Sequence, residues 1–90
     1  MLRLSLGKLY LDRDQAGTAL AHLRRATELD RGYSAAWKWL GKALAADGQT
    51  DAARDAYRRG IEAAQGRGDK QAEKEMRVFL RRLQAGAGGK

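Results

Sequence analysis

At 90 residues, 43% of them hydrophobic, the chain is one domain at most, too small for a large core and too apolar to stay disordered. It has no cysteine, which excludes a disulfide framework and thiolate chemistry, and no proline. The net charge of +7 points to an acidic surface as partner without choosing between protein, nucleic acid and membrane.

Alanine, leucine and arginine are the commonest residues, and with lysine they lose little side-chain freedom in a helix. β-Branched residues are confined to Val78, Ile61, Thr18, Thr27 and Thr50, too few for a sheet. The opening Met1-Leu2-Arg3-Leu4-Ser5-Leu6 lacks the apolar core and cleavage site of a signal peptide. No apolar run approaches the ~20 residues that span a bilayer, so the chain is expected to be cytoplasmic.

The first two helices are expected over residues 2–13 and about 15–29. A third follows over 34–46, with Ser34 as its cap, and ends at Asp47-Gly48, because glycine accepts the left-handed turn after a last helical residue. The fourth covers 50–64, capped by Thr50 or Asp51. Linkers this short force antiparallel neighbours. After Gly66-Arg67-Gly68, Asp69 caps a fifth helix running to about Leu83. Its apolar residues Ala72, Met76, Phe79, Leu80 and Leu83 share one face, and Lys70, Lys74, Arg77 and Arg81 wet the other. One wet face suits a helix that closes the end of a stack. Residues 85–90 read as a disordered, glycine-rich tail.

Shifting the sequence by 34 residues aligns Leu6-Gly7-Lys8 with Leu40-Gly41-Lys42. The same shift pairs Gln15 with Gln49, Ala19 with Ala53, Arg24-Arg25 with Arg58-Arg59, and Glu28 with Glu62, all without a gap. The chain is therefore two near-copies of a helical hairpin, about 1–33 and 34–66, plus a closing helix about 69–84. Gly7 and Gly41 let the facing helix approach where a Cβ would obstruct, and Trp37, Leu40 and Leu44 fill the gap between helices.

Trp37-x-x-Leu40-Gly41-x-x-Leu44, followed by Ala53-x-x-x-Tyr57, resembles the tetratricopeptide repeat pattern. Leu6-Gly7-x-x-Tyr10 and Ala19-x-x-x-Leu23-x-x-Ala26 match it in the first unit. The resemblance implies an all-α fold of about five helices, a right-handed stack of antiparallel hairpins over residues 1–84. It implies a protein-interaction adaptor whose first helices line a concave groove for a peptide or partner segment. The sequence departs from the family in lacking the closing proline, in carrying Arg3 where the second unit has Trp37, and in having Gly60 where the first has Ala26. It opens without a cap, so Leu2, Leu4 and Leu9 are expected to lie uncovered, which suggests either a homodimer through the N-terminal helix or a missing N-terminal element.

Mapped by helical face, the groove candidates are Lys8, Leu11 and Asp12 from the first unit and Ala35, Lys38, Lys42 and Ala45 from the second. The lysines favour a carboxylate-bearing ligand. The family's asparagine-containing clamp for a terminal carboxylate has no counterpart, because the chain holds no asparagine. Trp39 falls on the side opposite Trp37, the wetter one, and joins the partner-binding set because exposed tryptophans are enriched at hot spots. Tyr33 either joins it or staples the turn.

The alternative is an anion- or nucleic-acid-binding face of Arg24, Arg25, Arg58 and Arg59, which recur at the repeat period. Against it, Arg24 and Arg58 have Glu28 and Glu62 four residues on, and Asp55 precedes Arg59 by four, spacings that suit ion pairs within a helix. The aromatic residues of single-strand binders are missing there. Arg67-Gly68-Asp69 spells an integrin tripeptide but reads as a turn and a cap. With His22 the lone histidine, no usual zinc site assembles, and neither Ser5 nor Ser34 has a base nearby in sequence. Catalysis, metal and cofactors are not expected.

Overall fold

The computed structural model describes residues 2–12 and 16–88, with side chains at 3–8 and 17–84. It contains five helices among the described residues: α1 (Leu2–Asp12), α2 (Ala16–Leu29), α3 (Ser34–Ala46), α4 (Thr50–Arg67) and α5 (Lys70–Gly88). Each packs on the next in the chain, and α3 also touches α1 and α5. Two layers result: α1, α3 and α5 form one, α2 and α4 the other. The whole measures 37 × 31 × 17 Å.

Glycines make the turns after α3 and α4. Gly48 has φ 79°, and the Gln49 N–H donates to Leu44 O at 2.9 Å. Gly68 has φ 70°, and the Asp69 N–H donates to Ala64 O at 2.8 Å. An L side chain in this left-handed region is strained, which is why glycine stands at both places. Asp69 caps α5 as its position suggests, its Oδ1 accepting the Ala72 N–H at 3.1 Å.

Other ends differ from expectation. Tyr33 and Gln49 occupy the caps of α3 and α4, with no side-chain cap bond. Ser34 is already inside the helix, and its hydroxyl donates across the fold to Asp69 Oδ2 at 3.5 Å. Thr50 and Asp51 are likewise the first residues of α4, not its cap. Helix α4 continues past Ala64 to Arg67, since nothing breaks it before Gly68. Helix α5 runs to Gly88, so 85–88 extend it instead of opening a disordered tail; adding residues to an existing helix costs little compared with starting one. Gly89, Lys90 and Gln15 lie outside the described residues, as does Arg13, expected to end α1.

The core follows the repeat. Leu4, Leu20, Leu23 and Ala26 join Ala36, Leu40, Ala43, Leu44, Ala53 and Ala56 in one buried cluster, and Tyr57, Ile61, Ala64, Ala72 and Met76 form the next. A Cβ at Gly7 would stand 2.5 Å from Leu23 Cγ, and one at Gly41 would stand 2.5 Å from Tyr57 Cε1. The two glycines thus admit the large residue of the facing helix at equivalent places. Leu4 is buried, which corrects its expected exposure; the side chains of Leu2 and Leu9 lie outside those described.

Candidate functional site

Helix α3 lies between α1 and α5, so its residues on that side meet side chains from both neighbours. Trp39 is at the centre. The Lys8 ammonium from α1 lies 4.8 Å from its ring centre, and Lys38 and Lys42 from α3 lie at 5.6 Å and 4.6 Å. From α5, the Phe79 ring sits 4.7 Å from the same Lys42 ammonium. All three lysines are half-buried along their chains, their stems on apolar surface and their charges toward water.

The face expected to carry Lys8, Lys38 and Lys42 together does so. Ala35 and Ala45 flank it, half-buried against the core. The Leu11 and Asp12 side chains lie outside the described residues. Trp39 stands on the side opposite Trp37, among the lysines, and is half-buried there. A step of two residues turns roughly 200° around a helix, which carries Trp39 away from the α4 side and onto the side facing α1 and α5. Trp37 is also less enclosed than expected, half-buried with its indole N–H donating to Arg31 O at 2.8 Å.

The charges here are unevenly compensated. Lys38 Nζ donates to Glu75 Oε1 of α5 at 3.3 Å. No carboxylate among the described residues pairs with Lys8 or Lys42. Each cation over an indole is worth about 0.5–1 kcal/mol when exposed, yet like charges gathered on one ring repel one another. A carboxylate arriving between Lys8 and Lys42 would relieve that repulsion.

Glu75 and Phe79 were not singled out for this face from the sequence. The two contacts of α3 with α5 on this face, Lys38 with Glu75 and Lys42 with Phe79, are 37 residues apart, so the repeat spacing of 34 did not point to them.

The arginines are arranged differently. Arg24, Arg25, Arg58 and Arg59 are all exposed on α2 and α4. Glu28 pairs with Arg25 at 3.4 Å, not with Arg24, and Arg59 pairs with Asp55 at 2.9 Å. No ion pair joins Arg58 to Glu62 among the described residues. A cleft between α2 and α4 carries Arg24 and Arg59 together with Glu28 and Asp55, so cations and carboxylates alternate along it.

The tetratricopeptide repeat family model matches residues 10–73. A TPR repeat-containing protein of Pseudomonas aeruginosa is 54% identical over 83 residues, 92% of this chain and 79% of its own length. The solution structure of a Bordetella parapertussis protein is similar with a TM-score of 0.82 and 54% identity, over 91% of this chain and 71% of that one. A tetratricopeptide repeat domain protein from Salinibacter ruber is similar in its crystal structure with a TM-score of 0.84 and 30% identity, over 92% of this chain and 93% of that one.

Proposed function

Given that the chain belongs to the tetratricopeptide repeat family, we propose that it is an adaptor which holds a segment of an acidic partner protein in the groove along α1, α3 and α5. The family's members generally bind proteins, and no catalytic role is proposed. The observation that carries the reading is the set of three ammonium groups around Trp39. Trp39 and Phe79 supply apolar area, which drives association, while Lys8 and Lys42 steer carboxylates and set the register. Ala35 and Ala45 leave room for a bound backbone. Leu11 and Asp12 belong to the same proposed face by position on α1.

The arginine face is not the favoured surface, since two of its four guanidiniums are engaged by neighbouring carboxylates. Nucleic-acid binding there would lose affinity steeply with salt.

The test is calorimetric titration with an acetylated peptide of alternating glutamate and leucine. Replacing Lys38 and Lys42 together by glutamate is expected to abolish binding while the helical circular dichroism stays unchanged. Undiminished affinity in a folded double variant would remove the groove reading.

A further inference from the structure

A second concave feature shares no residue with the groove. It is a cavity of about 470 Å³ walled by Leu4 of α1, Ala26 and Leu29 of α2, and Tyr33 before α3, with Arg3 and Arg67 at its rim. That volume lies in the range of about 300–1,000 Å³ typical of binding pockets. Leu29 is 65% exposed, and among the described residues it is the large apolar side chain left most open to water.

The repeat explains why the place is open. At the 34-residue spacing, Arg3 corresponds to Trp37, Ala26 to Gly60, and Leu29 to Ala63. In the second unit a Cβ at Gly60 would meet Met76 Sδ and lie 2.7 Å from Trp37 Cβ, so the place is filled. In the first unit the aromatic ring is missing and a leucine stands in place of an alanine. The first unit therefore carries the larger apolar residue at 29 and no aromatic residue at 3.

The rim charges are unequal. Asp30 engages Arg67, whose Nη2 lies 3.1 Å and 3.2 Å from its two carboxylate oxygens. Arg3 Nη1 donates to His22 Nδ1 at 3.0 Å, and no carboxylate among the described residues pairs with it. In a chain of net charge +7, that guanidinium favours an anionic group at the cavity mouth.

We propose that this cavity receives an aromatic side chain from a partner protein, with an acidic residue beside it on Arg3. The aromatic ring supplies what the first unit lacks at position 3, where the second carries Trp37. The site is a second anchoring point and does not depend on the groove reading.

The experiment is an NMR titration of the uniformly ¹⁵N-labelled protein with the capped tripeptide Asp-Trp-Glu, and with the same peptide carrying alanine for tryptophan. The expected result is movement of the Ala26, Leu29 and Tyr33 amides with the first peptide only. Leu29→Glu should weaken it at least about tenfold, and Leu29→Ala, a milder change at the same exposed position, should weaken it in the same direction. Spectral dispersion reports that both variants remain folded. Equal effects of the two peptides, movement confined to the Trp39 indole, or no movement at all would overturn the proposal. So would concentration-dependent shifts at Leu29 without peptide, which would assign the cavity to a second copy of the chain.

Discussion

The Lys42 ammonium lies 4.6 Å from the centre of the Trp39 ring, and the Phe79 ring approaches the same ammonium to 4.7 Å. A residue of α3 thereby draws α5 against the face that α1 completes with Lys8. Charge and apolar area are joined at one spot, the combination a segment of acidic and apolar residues would use.

Glu75 competes for that charge. Its pairing with Lys38 is partly exposed and worth about 0.2–1 kcal/mol, so the lysine is readily recruited elsewhere. Glu75→Gln should raise affinity for the glutamate–leucine peptide a few-fold, with little change in melting temperature. Calorimetry of the variant checks this; weakened binding would show that Glu75 helps the ligand instead of competing with it.

The glycines separate by what surrounds them. Gly41→Val would push on Tyr57, which is 3% exposed and has little room to retreat, and should cost roughly 1–3 kcal/mol. Gly66 lies within α4 with open space where its Cβ would be, so Gly66→Ala should stabilise by about 0.5–1 kcal/mol through helix propensity. Urea denaturation of the two variants should therefore give shifts of opposite sign.

Gly60 and Met76 form a coupled pair. A Cβ at 60 would collide with Met76 Sδ and lie 2.7 Å from Trp37 Cβ. Met76 is fully buried, so Met76→Ala should cost about 2–5 kcal/mol, and Gly60→Ala should also destabilise. The double variant should lose less than the sum, because the smaller residue at 76 admits the added methyl. Strict additivity in denaturation would contradict this packing.

Burial pushes the Tyr57 hydroxyl from its ordinary 10.0 up to about 12. The folded state disfavours tyrosinate, so this contribution is complete below the ordinary pKa and is lost as pH rises from there through about 12. Stability should fall over that interval, and Tyr57→Phe should flatten the fall. At the acid end, hydrogen bonds from Arg77, then Gln65, hold Glu73 below the usual carboxylate range. That group's contribution is present above its ordinary pKa and disappears as pH drops through the lowered one. Denaturant midpoints across both ranges, compared with Glu73→Gln, check the signs.

The hairpins were legible because the identities at 34 residues carry the small residues that packing demands: Gly7 meets Leu23 and Gly41 meets Tyr57. The lysine face was legible because helical spacing alone puts Lys38 and Lys42 on one side. The side on which Trp39 stands was legible, two residues on from Trp37, but its half-burial was not, because a wheel drawn for one helix has a single buried side. A helix in the middle of a stack is covered along two, by its hairpin partner and by its equivalents in adjoining units. Helix ends at Ser34 and Thr50 misled for a related reason, since Ser34 makes its bond to Asp69, far along the chain.

Chemical-shift mapping of the glutamate–leucine peptide onto labelled protein, followed at the Trp39 indole N–H, tests the central claim most directly. The account predicts that this signal moves with saturation, that amides of Lys8, Lys38 and Lys42 move with it, and that added salt weakens the effect. Peptide binding that leaves the Trp39 indole and those amides unmoved would contradict it.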